Sequence, residues 1–275
     1  MTHDTYQYDF SDLHPDTLYN VFGREKKAKK MLAILQEHFP QGLEKLKLMD
    51  IGCSTGILAN FLSQHVGEVV GVDIDEKGIA YAKKTHQLDN LRFDVQDGMN
   101  LNYDANTFDI ITCAHAYEHV PDADKLMAEI HRVLKPDGVC YFAAGNRLNL
   151  IEPHYKLPLL SVFQKSMAHW YLKILGKGDF YYEKLRTLPT LRKLVNSFEV
   201  IDYTKKIIDH PEQNEATDMV QSGTLKQKLA KILLTVAYGL SPTYIWLLKK
   251  NESIGSGTHN IISFVSRRGF RDVGL

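Results

Sequence analysis

Small residues and acidic side chains recur at the ends of short apolar runs in the first half of the chain. The loop Gly52–Gly56 follows a run that ends at Ile51, and Asp50 stands two residues ahead of its first glycine. Asp73 ends the next apolar run, and Asp97 comes just past the third. Such a loop lets the backbone approach a ligand closely, and the start of the following helix offers free N–H groups. A carboxylate at Asp73 can accept both hydroxyls of a ribose, and Asp97 is placed to accept an adenine amino group.

The spacing within this loop separates two kinds of nucleotide ligand. A dinucleotide cofactor needs G-x-G-x-x-G, so that its pyrophosphate can rest on the helix N-terminus. Here small residues stand at Gly52, Ser54 and Gly56, with an acid at Asp50. That acid would repel a pyrophosphate but suits a cationic ligand. The loop and Asp73 alone would fit a nicotinamide-dependent oxidoreductase, which this spacing disfavours.

Strands and helices are predicted to alternate around these residues. Apolar, β-branched runs predict strands over 46–51, 68–74, 91–95, 108–114 and 138–144, and helical spacing predicts helices over 24–39, 56–65, 76–87 and 122–135. This alternation is typical of α/β proteins with a doubly wound, mostly parallel sheet. Ligands bind such sheets beyond the carboxyl ends of the strands, where the strand order reverses.

Taken in order, these motifs resemble those of class I S-adenosylmethionine-dependent methyltransferases. They are Asp50-x-Gly52-x-Ser54-x-Gly56, residues 69–73, Asp97-Gly98 and residues 108–111. Residues 117–122 with 134–138 resemble the subgroup that includes quinone-biosynthesis enzymes. The resemblance covers roughly residues 45–145, and Ser54 stands where the family often has glycine. It implies a Rossmann-like sheet of seven strands, S-adenosylmethionine as cofactor, and methyl transfer.

The resemblance also implies a role for each motif residue. Asp50 and the backbone of Gly52, Cys53, Ser54 and Gly56 would hold the amino-acid end of the cofactor. Asp73, beside Ile74, would bind the ribose; Asp97 would bind the adenine amino group, with Gly98 or Met99 packed on the ring. Ala114 and His115 would line the pocket near the sulfonium.

Beyond residue 145 the alternation breaks, which predicts insertions into the core. Residues 1–40 are predicted to form an arm and a helix, 41–146 the cofactor-binding core, and 147–185 a cap insertion with a helix around 159–175. Residues 186–208 would continue the core, 209–257 would form a second cap insertion, and 258–275 the final strand and tail. By the resemblance, 199–208 and 260–266 would be the antiparallel pair of strands that closes the sheet.

The densest set of candidate proton-transfer groups is Glu152-Pro153-His154-Tyr155, which follows the fifth strand. A hydroxyl acceptor would need its proton removed, and His154 is the preferred general base, with His115 second. In the competing interpretation His154 and Tyr155 only anchor the cap. His119 is expected to be a structural histidine.

Charge and cysteine usage restrict the partners and the compartment. Lys+Arg and Asp+Glu are balanced at 33 each, so the broad basic field that favours nucleic acid is absent. The basic run 24–30 is interpreted as the solvated face of a helix rather than a phosphate-seeking patch. The three cysteines lie in or beside apolar runs without metal-ligand spacing, so no metal site is expected. Together with an N-terminus unlike a signal peptide, they favour a cytoplasmic protein.

Residues 229–248 are largely apolar, with lysines on both sides. Gly239 and Pro242 interrupt the run, which argues against a membrane span. The run is predicted to form two short helices on the core; alternatively, 226–250 makes a peripheral contact with membrane or with a lipid-linked acceptor. The expected function is methyl transfer to a small-molecule, glycan or lipid-linked acceptor, on oxygen. A catalytically silent, methyltransferase-like binding subunit stays open as an alternative, and so does the oligomeric state.

Overall fold

The computed structural model describes residues 20–251, so the predicted arm and the predicted strand 260–266 lie outside the described part. Seven strands form one sheet: β1 (Lys47–Ile51), β2 (Glu68–Asp73), β3 (Leu91–Val95), β4 (Phe108–Ala114), β5 (Leu134–Gly145), β8 (Phe198–Asp202) and β9 (Thr243–Lys250). A separate two-stranded sheet contains β6 (Ile151–Glu152) and β7 (Leu157–Pro158). The order in the large sheet is β3-β2-β1-β4-β5-β9-β8, with β9 antiparallel to both neighbours.

Helices cover both faces of this sheet. They are α1 (Val21–His38), α2 (Ile57–Ser63), α3 (Glu76–Thr85), α4 (Ala123–Val133), α5 (Lys165–Ile174), α6 (Leu188–Leu194), α7 (Thr204–Asp209) and α8 (Leu225–Val236). One apolar core lies between the sheet and α1, α2, α3 and α7, and a second lies between the sheet and α4 and α6. The predicted α/β fold with a doubly wound, mostly parallel, seven-stranded sheet is confirmed.

The first five predicted strands and the helices between them are confirmed to within a few residues. The start of α4 shows why such local signals work: the Asp122 side chain accepts from the backbone N–H groups of Asp124 and Lys125, both at 3.1 Å. This is the N-cap bond that an aspartate at that position provides. The strand order reverses between β1 and β4, so the carboxyl ends of β1, β2 and β4 meet where a ligand is expected.

Thr243–Lys250 pairs antiparallel with both β5 and β8, so the predicted second insertion 209–257 contains a core strand. Trp246 and Leu248 are buried in the core on one face, and Leu247 is buried on the other. The middle of this strand, residues 244–248, lies between β5 and β8 and is apolar on both faces, so its pattern also fits the predicted helix. Its predicted partner, 199–208, is strand only over Phe198–Asp202 and then turns into α7.

The tryptophan of β9 offers a direct test that this segment is core. Trp246 is 2% exposed, stacks on Phe142, and donates from Nε1 to the Tyr238 hydroxyl at 3.2 Å. We expect Trp246→Phe to lower the free energy of unfolding by about 1–2 kcal/mol, because it removes a hydrogen bond and part of a packed ring. Denaturant unfolding measures this loss. Trp170→Phe is the control: Trp170 is 66% exposed on α5, so its loss should stay below about 0.5 kcal/mol, and equal losses would contradict the placement.

Candidate active site

A cavity of 630 Å³ opens at the carboxyl ends of β1, β2 and β4. This volume lies within the range of about 300–1,000 Å³ that small-molecule sites occupy. The loops after these strands line it, together with α1. Pro153 and His154 come from the first insertion, and Asp218 and Met219 from the segment between α7 and α8. Both insertions therefore contribute to the walls of the site.

The loop Gly52–Gly56 is held in an unusual backbone conformation. Gly52, Ser54 and Gly56 have φ angles of 76°, 51° and 75°, in the left-handed region that favours glycine. A side chain at Gly56 would come within 2.6 Å of the Phe93 ring, so this glycine allows close packing of the loop on the sheet. Gly52 and Ser54 line the cavity, and a Cβ atom at Gly52 would lie 3.1 Å from Ala116 Cβ.

Asp73 lies at the end of β2 and lines the cavity. Its Oδ2 accepts from the backbone N–H of Ser54 at 2.7 Å, and its Oδ1 accepts from that of Asp75 at 3.0 Å. Burial raises the pKa of Asp73, although these backbone hydrogen bonds oppose the shift. Each oxygen retains a second lone pair, so the carboxylate can also accept from a ligand.

Asp50 lies within β1, behind the loop. The Thr112 hydroxyl on β4 donates to its carboxylate at 2.6 Å, and burial raises the pKa of Asp50 to about 6. The charge of Arg24 opposes this rise, whereas that of Asp73 adds to it. Asp50 is not among the residues that line the cavity, so it acts on the site through its charge and through its bond to β4.

The other predicted cofactor residues divide between the cavity wall and its support. Ile74, Gly98, Ala114 and His115 line the cavity. The remaining four, Cys53, Gly56, Asp97 and Met99, do not line it. The Cys53 thiol is buried in the core, and the Asp97 side chain accepts from the backbone N–H of Met99 at 2.7 Å, which shapes the loop after β3.

His154 forms a buried pair with a carboxylate. Its Nδ1 lies 2.8 Å from Oε1 of Glu152, whose side chain has no exposed surface, and the imidazole lines the cavity. Burial would lower the pKa of His154, but its hydrogen bond to Glu152 and the charges of Glu183, Glu152 and Glu118 outweigh it and raise this pKa. The His119 ring packs edge-on against His154, with centroids 5.1 Å apart. His119, expected to be structural, thus also lines the cavity.

His115 pairs with a second buried carboxylate. Its Nδ1 lies 3.3 Å from Oε1 of Glu118, and its backbone has a φ of 58°. Burial would raise the pKa of Glu118, but the hydrogen bond from His115 and the charges of His115 and His119 outweigh it and lower this pKa. Across residues 20–251, histidines, cysteines and acids do not assemble into a group of three that could hold a metal ion.

The cavity also receives basic side chains that sequence reasoning assigned to solvent. Arg24, Lys27 and Lys30 lie at three-residue intervals along α1 and line the cavity; we call them the basic face of α1. The interpretation of run 24–30 as a solvated helix face is therefore wrong for Lys30, which is 7% exposed, whereas Lys27 keeps exposed surface at the cavity wall. Their spacing was visible in the sequence, but the side of α1 that docks on the core was not.

Comparison with known proteins agrees with the geometry. A family model described as a methyltransferase domain matches residues 49–142. The ubiquinone biosynthesis O-methyltransferase of Coxiella burnetii (strain RSA 331 / Henzerling II) is 31% identical over 212 residues, covering 75% of this chain and 86% of the relative. The chain is a class I S-adenosylmethionine-dependent methyltransferase. The predicted family is confirmed, and S-adenosylmethionine is its cofactor. A nicotinamide-dependent oxidoreductase is thereby excluded.

Other similarities extend the comparison. The ubiquinone biosynthesis O-methyltransferase of Actinobacillus pleuropneumoniae serotype 5b (strain L20) is 31% identical over 150 residues, 52% of this methyltransferase and 60% of the relative. A solved protein of Pyrococcus horikoshii OT3 has a TM-score of 0.57 at 15% identity, covering 88% of this chain and 99% of that one. The plantazolicin methyltransferase BpumL, solved with SAH, has a TM-score of 0.55 at 19% identity, covering 86% and 88%. Both structures share the fold.

Proposed function

We propose that this methyltransferase methylates a hydroxyl oxygen of a small-molecule or lipid-linked acceptor and that His154 removes the hydroxyl proton. The observation that carries the proposal is the buried pair in the cavity wall, where Nδ1 of His154 lies 2.8 Å from Glu152. The two relatives compared above carry the name O-methyltransferase, which agrees with a hydroxyl acceptor.

The cavity wall fits the cofactor on the sheet side. Asp73 has spare lone pairs for two ribose hydroxyls. Gly52 has no side chain, so the amino-acid end can approach its carbonyl, while its N–H donates to the Val72 carbonyl at 2.9 Å. The Ser54 hydroxyl is buried and has no hydrogen-bond partner within residues 20–251, so a ligand group can satisfy it. Arg24 lies near the charges of Asp50 and Asp73 and can pair with the methionine carboxylate. When bound, S-adenosylmethionine supplies the electrophilic methyl group.

The protein's own part in the reaction is to orient the acceptor, exclude water and accept a proton. With Nδ1 donating to Glu152, Nε2 is the ring nitrogen of His154 that can accept the hydroxyl proton. The buried Glu152 carboxylate fixes the ring and stabilises the imidazolium that forms, as the carboxylate of a hydrolase triad does. His115 remains the second candidate, since its Nδ1 is directed at Glu118 in the same way.

The proposal is tested by identifying the methylated atom. Acceptor candidates bearing hydroxyl, amine or activated-carbon groups are incubated with ¹³C-methyl-labelled S-adenosylmethionine, and turnover is scored by S-adenosylhomocysteine release. The methyl carbon shift in the product then distinguishes O-, N- and C-methylation. We expect an O-methyl product; an N- or C-methyl product from the best acceptor would refute the proposed hydroxyl chemistry while leaving the methyltransferase activity intact.

Peripheral membrane contact is proposed for a smaller region than 226–250. Trp246 and Leu247, expected at a membrane surface, are buried in β9. On α8, in contrast, five apolar side chains are exposed: Leu225, Leu229, Ile232, Leu233 and Val236. Three lysines lie on the same helix, a composition suited to anionic headgroups. No helix within residues 20–251 has the length and apolar character that crossing a bilayer requires.

This revised contact makes a testable prediction. We expect the full chain to co-sediment with anionic liposomes at low salt, and salt to weaken this association by screening the lysines. Ile232→Glu should reduce the bound fraction by about tenfold, because a charge replaces an apolar side chain at the lipid boundary. Leu88→Glu is the control, since Leu88 is also exposed but follows α3. Equal binding by both variants, or no binding by the wild type, would remove α8 as a membrane contact.

A further inference from the structure

The cations that line the cavity differ in how their charge is compensated. Lys30 is buried and pairs with Asp218 at 2.6 Å, and the Lys26 ammonium lies over the Phe22 ring at 4.1 Å. Arg24 lies near the carboxylates of Asp50 and Asp73. Lys27 alone among these four has no hydrogen bond, ion pair or cation–π contact with any residue in the described range 20–251.

The surroundings of Lys27 favour the arrival of an anion. Burial lowers the pKa of Lys27, and the positive charges of Arg24 and Lys30 lower it further, whereas Glu118 opposes the shift. Glu118 already has His115 as its partner, at 3.3 Å. Lys27 keeps exposed surface but lies at the cavity wall, and a cation that its cationic neighbours repel there gains more than an isolated lysine when an anion binds.

The position of Lys27 assigns that anion to the acceptor rather than to the cofactor. The charges of Asp50, Cys53 and Asp73 act on the Arg24 guanidinium, and these three residues lie in the cofactor loop or in the strands β1 and β2 beside it. Lys27 lies about one helical turn further along α1, where Glu118, the partner of His115, is the carboxylate that acts on it. The His115–Glu118 pair belongs to the histidine side of the cavity, where His119 and His154 also lie.

We propose that Lys27 binds an acidic group of the acceptor, a carboxylate or a phosphate, and so selects anionic hydroxyl compounds as substrates. This inference rests on the proposed hydroxyl chemistry. The acidic group would anchor the acceptor against α1 and leave its hydroxyl to the histidine side of the cavity. A neutral acceptor of the same shape would leave the Lys27 ammonium desolvated without compensation, and would bind more weakly for that reason.

The test uses the full chain loaded with S-adenosylhomocysteine and three aromatic probes. Gallate carries hydroxyls and a carboxylate, methyl gallate is its neutral ester, and phenyl phosphate carries a phosphate. Calorimetry should show gallate binding at least about tenfold more tightly than methyl gallate, the size expected for one charge-assisted hydrogen bond. Phenyl phosphate binding more tightly than gallate would identify phosphate as the preferred acid, and the reverse order would identify carboxylate.

Variants of α1 then assign the preference to one side chain. Lys27→Gln should abolish the difference between gallate and its ester, and Lys27→Arg should restore most of it. Lys29→Gln is the matched control, because Lys29 is exposed on the same helix, as Lys27 is, but does not line the cavity. Equal binding of acid and ester, no binding of either acid, or an unchanged preference in Lys27→Gln overturns the proposal. A Lys27→Gln variant that loses S-adenosylhomocysteine affinity instead would assign Lys27 to the cofactor.

These outcomes are distinguishable from failure of the proposed hydroxyl chemistry. That chemistry fails when the labelled methyl group appears on nitrogen or carbon, whereas the Lys27 proposal is read from binding without turnover. An anionic acceptor methylated on nitrogen would keep Lys27 as the recognition residue and reject His154 as a hydroxyl base. An O-methylated neutral acceptor bound equally well by wild type and Lys27→Gln would reject Lys27 as the recognition residue and keep the hydroxyl chemistry.

Discussion

Replacing His154 by alanine is expected to slow methyl transfer by about 10²–10⁴-fold, the range that a positioned general base contributes. The affinity for S-adenosylmethionine should stay within about twofold, because His154 comes from the first insertion and the cofactor loop from the sheet. Single-turnover formation of S-adenosylhomocysteine measures the first quantity, and calorimetry measures the second. His65→Ala is the control, since His65 does not line the cavity.

The pH dependence of the reaction tests the same assignment. A base must be neutral to accept a proton, so the rate should rise with pH through the pKa of His154, which Glu152 and the neighbouring acids raise above its usual value of 6.5. In Glu152→Gln the negative charge that stabilises the imidazolium is lost, so this limb should move to lower pH. His154→Ala should lose the limb altogether. Full activity with an unchanged profile would remove His154 from catalysis, and a loss seen only in His115→Ala would transfer the role to His115.

The sheet shows which parts of the fold local sequence determines. Strands β1 to β4 were predicted because each is a short apolar run bounded by turn residues, and the cap at Asp122 marks a helix start by its own chemistry. Strand β9 was missed because its position between β5 and β8 makes it apolar on both faces, and a continuous apolar run also fits a helix. Residues 243–250 form a strand because they pair with Val139–Gly145, about a hundred residues earlier in the chain. No local pattern carries that information.

The candidate site divides in the same way. The loop Gly52–Gly56 and Asp73 were predicted because adjacent residues and one neighbouring strand create them, whereas the left-handed backbone of the loop was seen only in the structure. The basic face of α1 was assigned to solvent because the docking orientation of a helix depends on the whole core. The Glu152–His154 pair was singled out as a cluster, but its burial depends on how the first insertion packs. Local chemistry thus predicts the cofactor side of the cavity better than the acceptor side.

Asp73→Ala is expected to weaken S-adenosylmethionine binding by about 10²–10⁴-fold. In the proposed arrangement the variant loses two charge-assisted hydrogen bonds to the ribose, each worth about 1.5–3 kcal/mol. The carboxylate also accepts from Ser54 and Asp75, so the variant removes one of the hydrogen bonds that hold the cofactor loop on β2 as well. Unfolding of the ligand-free protein measures that second effect separately.

The control for this variant is Asp94→Ala. Asp94 lies on β3, where its carboxylate accepts from the Tyr103 hydroxyl at 2.9 Å and does not line the cavity. Because burial raises the pKa of Asp73, the wild type should also lose cofactor affinity as the pH falls through that raised pKa, where the carboxylate becomes protonated. Asp94→Ala should keep this pH dependence, and Asp73→Ala should lose it. An Asp73→Ala variant that binds S-adenosylmethionine as tightly as the wild type would show that the ribose lies elsewhere in the cavity.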